Sequence, residues 1–270
     1  MTSAPATPAR PMLVALDIDG TLLTYDEHLA DETRDAVAAV RDAGHHVVLS
    51  TGRSLVAVLD VAAALGLTGY AVCSNGSVTV RLDPDLPGGW ELDDVVTFDP
   101  GPALRLIAEQ LPDALYAVEE IGAGFRLNKP FPGHELGGDQ TVVPFEELWS
   151  QEVTRVVVRS VDHTSEEFHE LASHLGLGDV TYAIGWSAWM DLAPQGVSKA
   201  SALERLRRIL HVQPDRTVAV GDGHNDIEML DWAARGVAMG HADESVRAAA
   251  DEVTGTVEEL GAARVLRSLV

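Results

Sequence analysis

The chain has 270 residues, with 19 basic against 42 acidic side chains and a formal net charge of −23 at pH 7. This length holds one large domain or two modest ones with real cores, and the acidity argues against nucleic acid or an anionic membrane as partner. A single cysteine, Cys73, excludes an internal disulfide framework and a multi-Cys zinc site.

Residues 1–11 are rich in Ala, Pro, Ser and Thr and have no apolar signal-peptide core, so a disordered tail and a cytoplasmic location are expected. Met12–Leu16 is a short apolar run that suits a buried parallel strand, and it ends at Asp17-Ile18-Asp19-Gly20-Thr21. A helix is expected over Asp31–Asp42, stopping at Gly44, then a strand over His46–Ser50. A second helix over Ser54–Leu65 ends at Gly66, and a strand follows at Tyr70–Cys73. This βαβαβ order implies a parallel sheet.

Pro and Gly between Leu82 and Gly89 mark a boundary. Beyond it a helix near Ala103–Leu111 and strands near Ala114–Glu120, Gly124–Asn128 and Val153–Arg159 are expected. A helix over Ser165–Leu175 and strands over Val180–Ile184 and Ala188–Leu192 follow. Helix-strand-strand occurs twice, the pattern of an α+β insert with an antiparallel sheet. The parallel pattern then resumes: Ser198 caps a helix through Ile209, Thr217–Val220 is a strand, Ile227–Ala234 a helix and Gly236–Met239 a strand. The expected organisation is a core of residues 12–82 and 191–270 interrupted by an insert of residues 83–190.

Residues i and i+2 on an extended segment share a face, so Asp17 and Asp19 point into one small volume. Like charges so close raise each other's pKa unless a cation sits between them, and a divalent metal resolves the conflict. Three further segments fall at strand ends or helix starts: Ser50-Thr51-Gly52-Arg53, Lys199 and Gly221-Asp222-Gly223-His224-Asn225-Asp226. Open α/β sheets bind ligands beyond their strand carboxyl ends, where all four segments converge. Taken singly they read as turns, caps and a solvated charge. Lys199 is one of two lysines, with Lys129, among 17 arginines, and a lysine kept in that background suits a task for a compact point charge.

These segments, with Met190-Asp191-Leu192-Ala193-Pro194-Gln195-Gly196-Val197-Ser198-Lys199-Ala200, match in order those of the haloacid dehalogenase superfamily. The chain resembles its Cof-like branch, which carries an α/β cap between the second and third motifs. The resemblance implies an α/β fold: a Rossmann-like parallel-sheet core interrupted by an α+β cap that governs specificity. It implies Asp17 as nucleophile, forming an aspartyl-phosphate, and Asp19 as general acid and base. Mg²⁺ would be held by the side chains of Asp17 and Asp222 and the backbone carbonyl of Asp19, with Asp226 supporting that shell. Thr51, Gly52, Asn225 and Lys199 would hold the phosphoryl oxygens, with the Ile18 backbone N–H nearby.

In the insert, Arg126 and Lys129 are candidate contacts for a leaving group, and Trp186 and Trp189 could stack on a sugar. None of the ten histidines is assigned to metal, and His224 reads as a loop filler. No Gly-x4-Gly-Lys loop or Gly-x-Gly-x-x-Gly fingerprint occurs. The expected activity is Mg²⁺-dependent hydrolysis of small phosphomonoesters, with sugar phosphates as the substrates that the resemblance implies. Alternatives are a phosphohexomutase or a non-catalytic sensor of a phosphorylated ligand; Asp19 disfavours dehalogenase chemistry. The partner would be a small phosphorylated metabolite, and the oligomeric state stays open.

Overall fold

The computed structural model describes residues 10–133, 135–164, 166–168, 170, 180–184 and 188–270. The first sheet begins with β1 (Leu13–Leu16), β2 (His46–Ser50), β3 (Gly69–Cys73), β4 (Val78–Leu82) and β5 (Trp90–Val95). It is completed by β12 (Thr217–Gly221), β13 (Arg235–Ala238) and β14 (Glu252–Val253). The strand order is β14-β13-β12-β1-β2-β3-β4-β5. Pairing is parallel from β14 to β3 and antiparallel from β3 to β5.

All four β1 residues are fully buried because the strand is covered on both faces. Val14 and Leu16 pack with α1 (Asp31–Asp42), α2 (Leu55–Leu65) and the chain's last described helix (Gly261–Arg267). Leu13 and Ala15 pack on the other side with helices Lys199–Ile209, Ile227–Trp232 and Glu244–Ala249. In chain order, after α3 (Gly101–Gln110), these four helices are α4 (Lys199–Ile209), α5 (Ile227–Trp232), α6 (Glu244–Ala249) and α7 (Gly261–Arg267). Ser198 caps α4 by accepting from the Ser201 amide, while the Ser201 hydroxyl accepts from the Ser198 amide.

The second sheet contains β6 (Leu115–Glu120), β7 (Gly124–Leu127), β8 (Asp139–Val142), β9 (Val156–Arg159), β10 (Val180–Ile184) and β11 (Trp189–Pro194). Its order is β10-β11-β9-β6-β7-β8, antiparallel except for the β7–β8 pair. Leu104 and Ile107 of α3 pack with Tyr116, Val118, Val156 and Val158 on one face. The other face carries Leu115, Ala117, Phe125, Leu127 and Val157, together with Phe131 and Leu136.

The expected limits of the insert shift at both ends. The turn after Leu82 closes a hairpin, because Val78, Val80 and Leu82 are buried in the first core and Arg81 bonds Glu91 of β5 at 2.6 Å. β5 therefore belongs to the first sheet, and the second begins after Val95. At the far end all of β11 lies in the second sheet, so the crossing back comes after Pro194 and not at Met190. The helix expected over Ser165–Leu175 falls largely outside the described residues. So does the tail at residues 1–9, whereas the Arg10 carbonyl accepts from Arg216 at 2.8 Å. Among the described residues no helix is long and apolar enough to cross a membrane.

The turn Ser74–Gly76 after β3 leads to the site. Ser74, Asn75 and Gly76 have φ of 50, 54 and 105°, and a Cβ at Gly76 would lie 2.3 Å from the Ser198 carbonyl oxygen. Gly76→Ala should therefore cost about 2 kcal/mol or more through strain and displacement of the α4 N-terminus. Thermal melting should show a midpoint lower by about 5 °C or more; an unchanged midpoint would contradict this close approach.

Candidate active site

Asp17 directly follows β1, its amide donating to the Val220 carbonyl at 3.0 Å, so the sheet register fixes its backbone. Its buried carboxylate Oδ1 lies 2.7 Å from Lys199 Nζ at the start of α4. The same ammonium lies 2.6 Å from Asp226 Oδ1, and neither side chain of this second pair is solvent-accessible. Asp226 Oδ2 accepts from the amides of Asp222 and Gly223 at 3.0 and 2.9 Å, which shapes the loop after β12. Asp222 accepts from the Thr21 hydroxyl at 3.1 Å and from the Tyr25 hydroxyl at 2.7 Å, with His241 Nε2 3.5 Å away. Gly20 permits this approach: at φ 72° it sits where a Cβ would fall 2.3 Å from Asp222 Oδ2.

One carboxylate oxygen from each of Asp17, Asp222 and Asp226 lies within 4.8 Å of the others. Burial pushes the Asp17 carboxyl well above the usual carboxylate range; Lys199 opposes the shift, and Asp226, Asp222 and Asp19 add to it. Asp222 is also raised, by burial and then by Asp226, while its bonds from Tyr25 and Thr21 pull the other way. Three buried carboxylates face one ammonium, so the cluster has room electrostatically for another cation. Its oxygen-only donors suit a hard divalent ion such as Mg²⁺.

A cavity of about 760 Å³ opens above the cluster, between the carboxyl end of the first sheet and the Phe125 face of the second. Asp17, Asp19, Thr51, Gly52, Asp222 and Asn225 line it, so six expected site residues meet at one place. The Thr51 hydroxyl accepts from the Arg53 amide at 3.1 Å, and Asn225 Nδ2 donates to Asn75 Oδ1 at 2.9 Å. Lys199 reaches the cluster from beneath, through Asp17. The Ile18 side chain is buried in the first core, and Ile18 is not among the residues that line the cavity.

The cap candidates fare differently. β7 alternates faces: Phe125 lines the cavity, while Arg126 points away and bonds the Glu147 carbonyl at 2.7 Å and Glu120 at 3.1 Å. Lys129 sits 3.8 Å from Asp113 and does not line the cavity either. Trp186 lies outside the described residues; Trp189 lines the cavity. His224 faces Asp243 at 3.4 Å. Buried Cys73 has its thiol pKa raised, chiefly by burial.

Several site residues escaped the sequence reading. Arg53 clasps Asp19, donating from Nε to Oδ2 at 2.9 Å and from Nη2 to Oδ1 at 2.5 Å, and Nη2 also reaches Glu27 at 3.2 Å. Its place two residues beyond Thr51 was a usable signal. Arg155 reaches Asp191 Oδ1 from Nε at 2.7 Å and from Nη2 at 2.6 Å, and both residues line the cavity. A charge inside the apolar run Val153–Val158 requires a buried partner, which could have singled it out. Tyr25 and His241 carried no such signal.

The model of the haloacid dehalogenase-like hydrolases matches residues 14–86 and 125–266. The chain belongs to this family. A pyridoxal phosphate phosphatase of Escherichia coli, YbhA, is 30% identical over 90% of this chain and 93% of its own. The 5-amino-6-(5-phospho-D-ribitylamino)uracil phosphatase YitU of Bacillus subtilis is 28% identical, over 96% and 97%. A haloacid dehalogenase-like hydrolase from B. subtilis superposes with a TM-score of 0.81 at 25% identity, covering 96% of this chain and all of that one. This haloacid dehalogenase-like hydrolase is a phosphatase, a hydrolase of phosphoric monoesters.

Proposed function

We propose that the enzyme is a Mg²⁺-dependent phosphatase of small phosphomonoesters, sugar phosphates among them, that works through an aspartyl-phosphate on Asp17. The observation that carries this reading is the buried Asp17 carboxylate, held by Lys199 at 2.7 Å and facing the cavity beside Asp19. Asp17 attacks phosphorus while the ester P–O bond breaks, and Asp19 gives its proton to the departing alkoxide. Asp19 then takes a proton from water as that water attacks phosphorus, which frees phosphate and restores the Asp17 carboxylate. Arg53 holds both Asp19 oxygens in place, and each keeps a second lone pair on which the proton can be carried.

Asp17, Asp222 and the Asp19 carbonyl would hold Mg²⁺, with Asp226 supporting the shell. Bound there, the ion would neutralise charge on the phosphoryl oxygens. Thr51, Gly52, Asn225, Lys199 and the Ile18 amide would orient those oxygens, and positioning with electrostatic stabilisation is most of what phosphoryl transfer needs. Trp189 offers a flat face at the cavity wall, and Asp191 and Glu135 are acceptors for hydroxyls, which favours a polyol or ring-bearing leaving group. The named substrates of the two curated relatives, a phosphorylated pyridoxal and a phosphorylated ribityl compound, are of that size and kind.

The test is phosphate release from p-nitrophenyl phosphate. Turnover should require Mg²⁺, fall by at least about a hundredfold in EDTA and return when Mg²⁺ is restored. Turnover that persists in EDTA would sink the metal dependence, and no phosphate release under any condition would sink the phosphatase reading.

A further inference from the structure

We infer that the cavity selects phosphomonoesters whose leaving group carries no second anionic group, and that Asp191, clasped by Arg155, sets this selection. The inference rests on the phosphatase reading and narrows its substrate class.

Beyond Asp17 and Asp222, the described residues of the wall present four carboxylates, Asp19, Glu27, Glu135 and Asp191, against two guanidinium groups, Arg53 and Arg155, while Arg159, outside the lining, lies 3.5 Å from Glu135. Both cations are already engaged. Arg53 is shared between Asp19 and Glu27. Arg155 meets Asp191 through two nitrogens, and Asp191 Oδ2 accepts from the Trp189 indole at 3.2 Å, so both oxygens of that carboxylate are fixed. The guanidinium also lies 5.9 Å from the centroid of Phe125, and its charge acts on a further buried carboxylate, Glu119. Turning toward a ligand would cost Arg155 these contacts.

The transferring phosphoryl group has its own attractors at the cavity floor. A second phosphate or a carboxylate on the leaving group would instead meet a wall with more carboxylates than cations, whose cations are paired. Like-charge juxtaposition of this kind discriminates strongly between partners. A hydroxyl or an ammonium group, by contrast, can donate to Asp191 or Glu135, and a ring can lie on Trp189. The preferred leaving group is therefore neutral or cationic. A sugar bisphosphate, which a phosphohexomutase must seat, is disfavoured.

Matched substrate pairs test this with the unaltered enzyme and Mg²⁺. β-Glycerol phosphate and 2-phosphoglycerate differ by replacement of one hydroxymethyl group with a carboxylate; fructose 6-phosphate and fructose bisphosphate differ by a phosphate. Each pair is compared by kcat/KM, or by Ki against p-nitrophenyl phosphate where a compound is not turned over. The less charged member should be favoured at least about tenfold in both pairs. In Asp191→Asn, Arg155 loses its ion-pair partner and the preference should shrink about tenfold. Glu135→Gln, on the same wall, should shrink it in the same direction and serves if the first variant does not fold. Equal values, or preference for the more charged members, would overturn the inference and leave the phosphatase standing. Absence of phosphate release from every compound, p-nitrophenyl phosphate included, would overturn both.

Discussion

Asp17→Asn is expected to remove phosphomonoester turnover by a factor on the order of 10⁴ or more while leaving the fold intact. The two halves of this expectation have separate causes. An amide cannot form the aspartyl-phosphate, so the proposed covalent route closes. Asn has nearly the shape of a protonated Asp, and burial already biases the Asp17 carboxyl toward its protonated form. The substitution removes one of three crowded carboxylates and leaves Lys199 paired with Asp226 at 2.6 Å. Its melting midpoint should therefore stay within a few degrees of the parent's. Phosphate release and thermal melting together check the pair of outcomes. Activity within tenfold of the parent would dismiss Asp17 as nucleophile; loss of activity with collapse of the fold would leave the chemical argument without its support.

The core and the cap differ in how far they could be read from sequence. The parallel core was legible because its strands are buried on both faces and read as continuous apolar runs, as Leu13–Leu16 does. Its helices carry local punctuation, such as the Ser198 cap and the left-handed Gly66 that ends α2. Asp17, Thr51, Lys199 and Asp222 sit at the ends of those elements, so locating the elements located the residues. The β4–β5 hairpin was not legible: β5 alternates poorly, and its pairing depends on cross-strand contacts such as Arg81 with Glu91. β8 has four exposed residues, of which Val142 alone is apolar, so it shows no alternating pattern.

Arg126 shows the same limit at a finer scale. A cation near the expected cavity is a fair candidate, but strand parity decides its face, and parity follows from the register of β7 against β6, which places Arg126 opposite Val118. Arg53 and Arg155 gain their meaning from Asp19, 34 residues away, and Asp191, 36 residues away. Pairings across such separations are products of the fold, and a single sequence does not state them.

Lys199→Met separates the structural and chemical duties of the buried ammonium. In the metal-free protein, Met fills similar volume but leaves Asp17 and Asp226 without the cation that lies 2.7 and 2.6 Å from them. Breaking a buried pair from one side costs roughly 3–5 kcal/mol, because the abandoned charge stays desolvated. For a chain of this size that lowers the melting midpoint on the order of 10 °C. Turnover should fall by about 10²–10³, the usual loss when one fixed stabiliser of developing charge is removed.

Mg²⁺ discriminates further. If the ion and the ammonium neutralise the same carboxylates, the ion should raise the midpoint of Lys199→Met more than that of the parent, so that the gap narrows as its concentration rises. Lys199→Arg should not rescue either property, since the larger planar guanidinium does not fit a fully buried site built around one point donor between two oxygens. A metal-free midpoint equal to the parent's would mean that Asp17 and Asp226 do not depend on Lys199 for their burial. A gap untouched by Mg²⁺ would place the ion away from the cluster that Lys199 holds together.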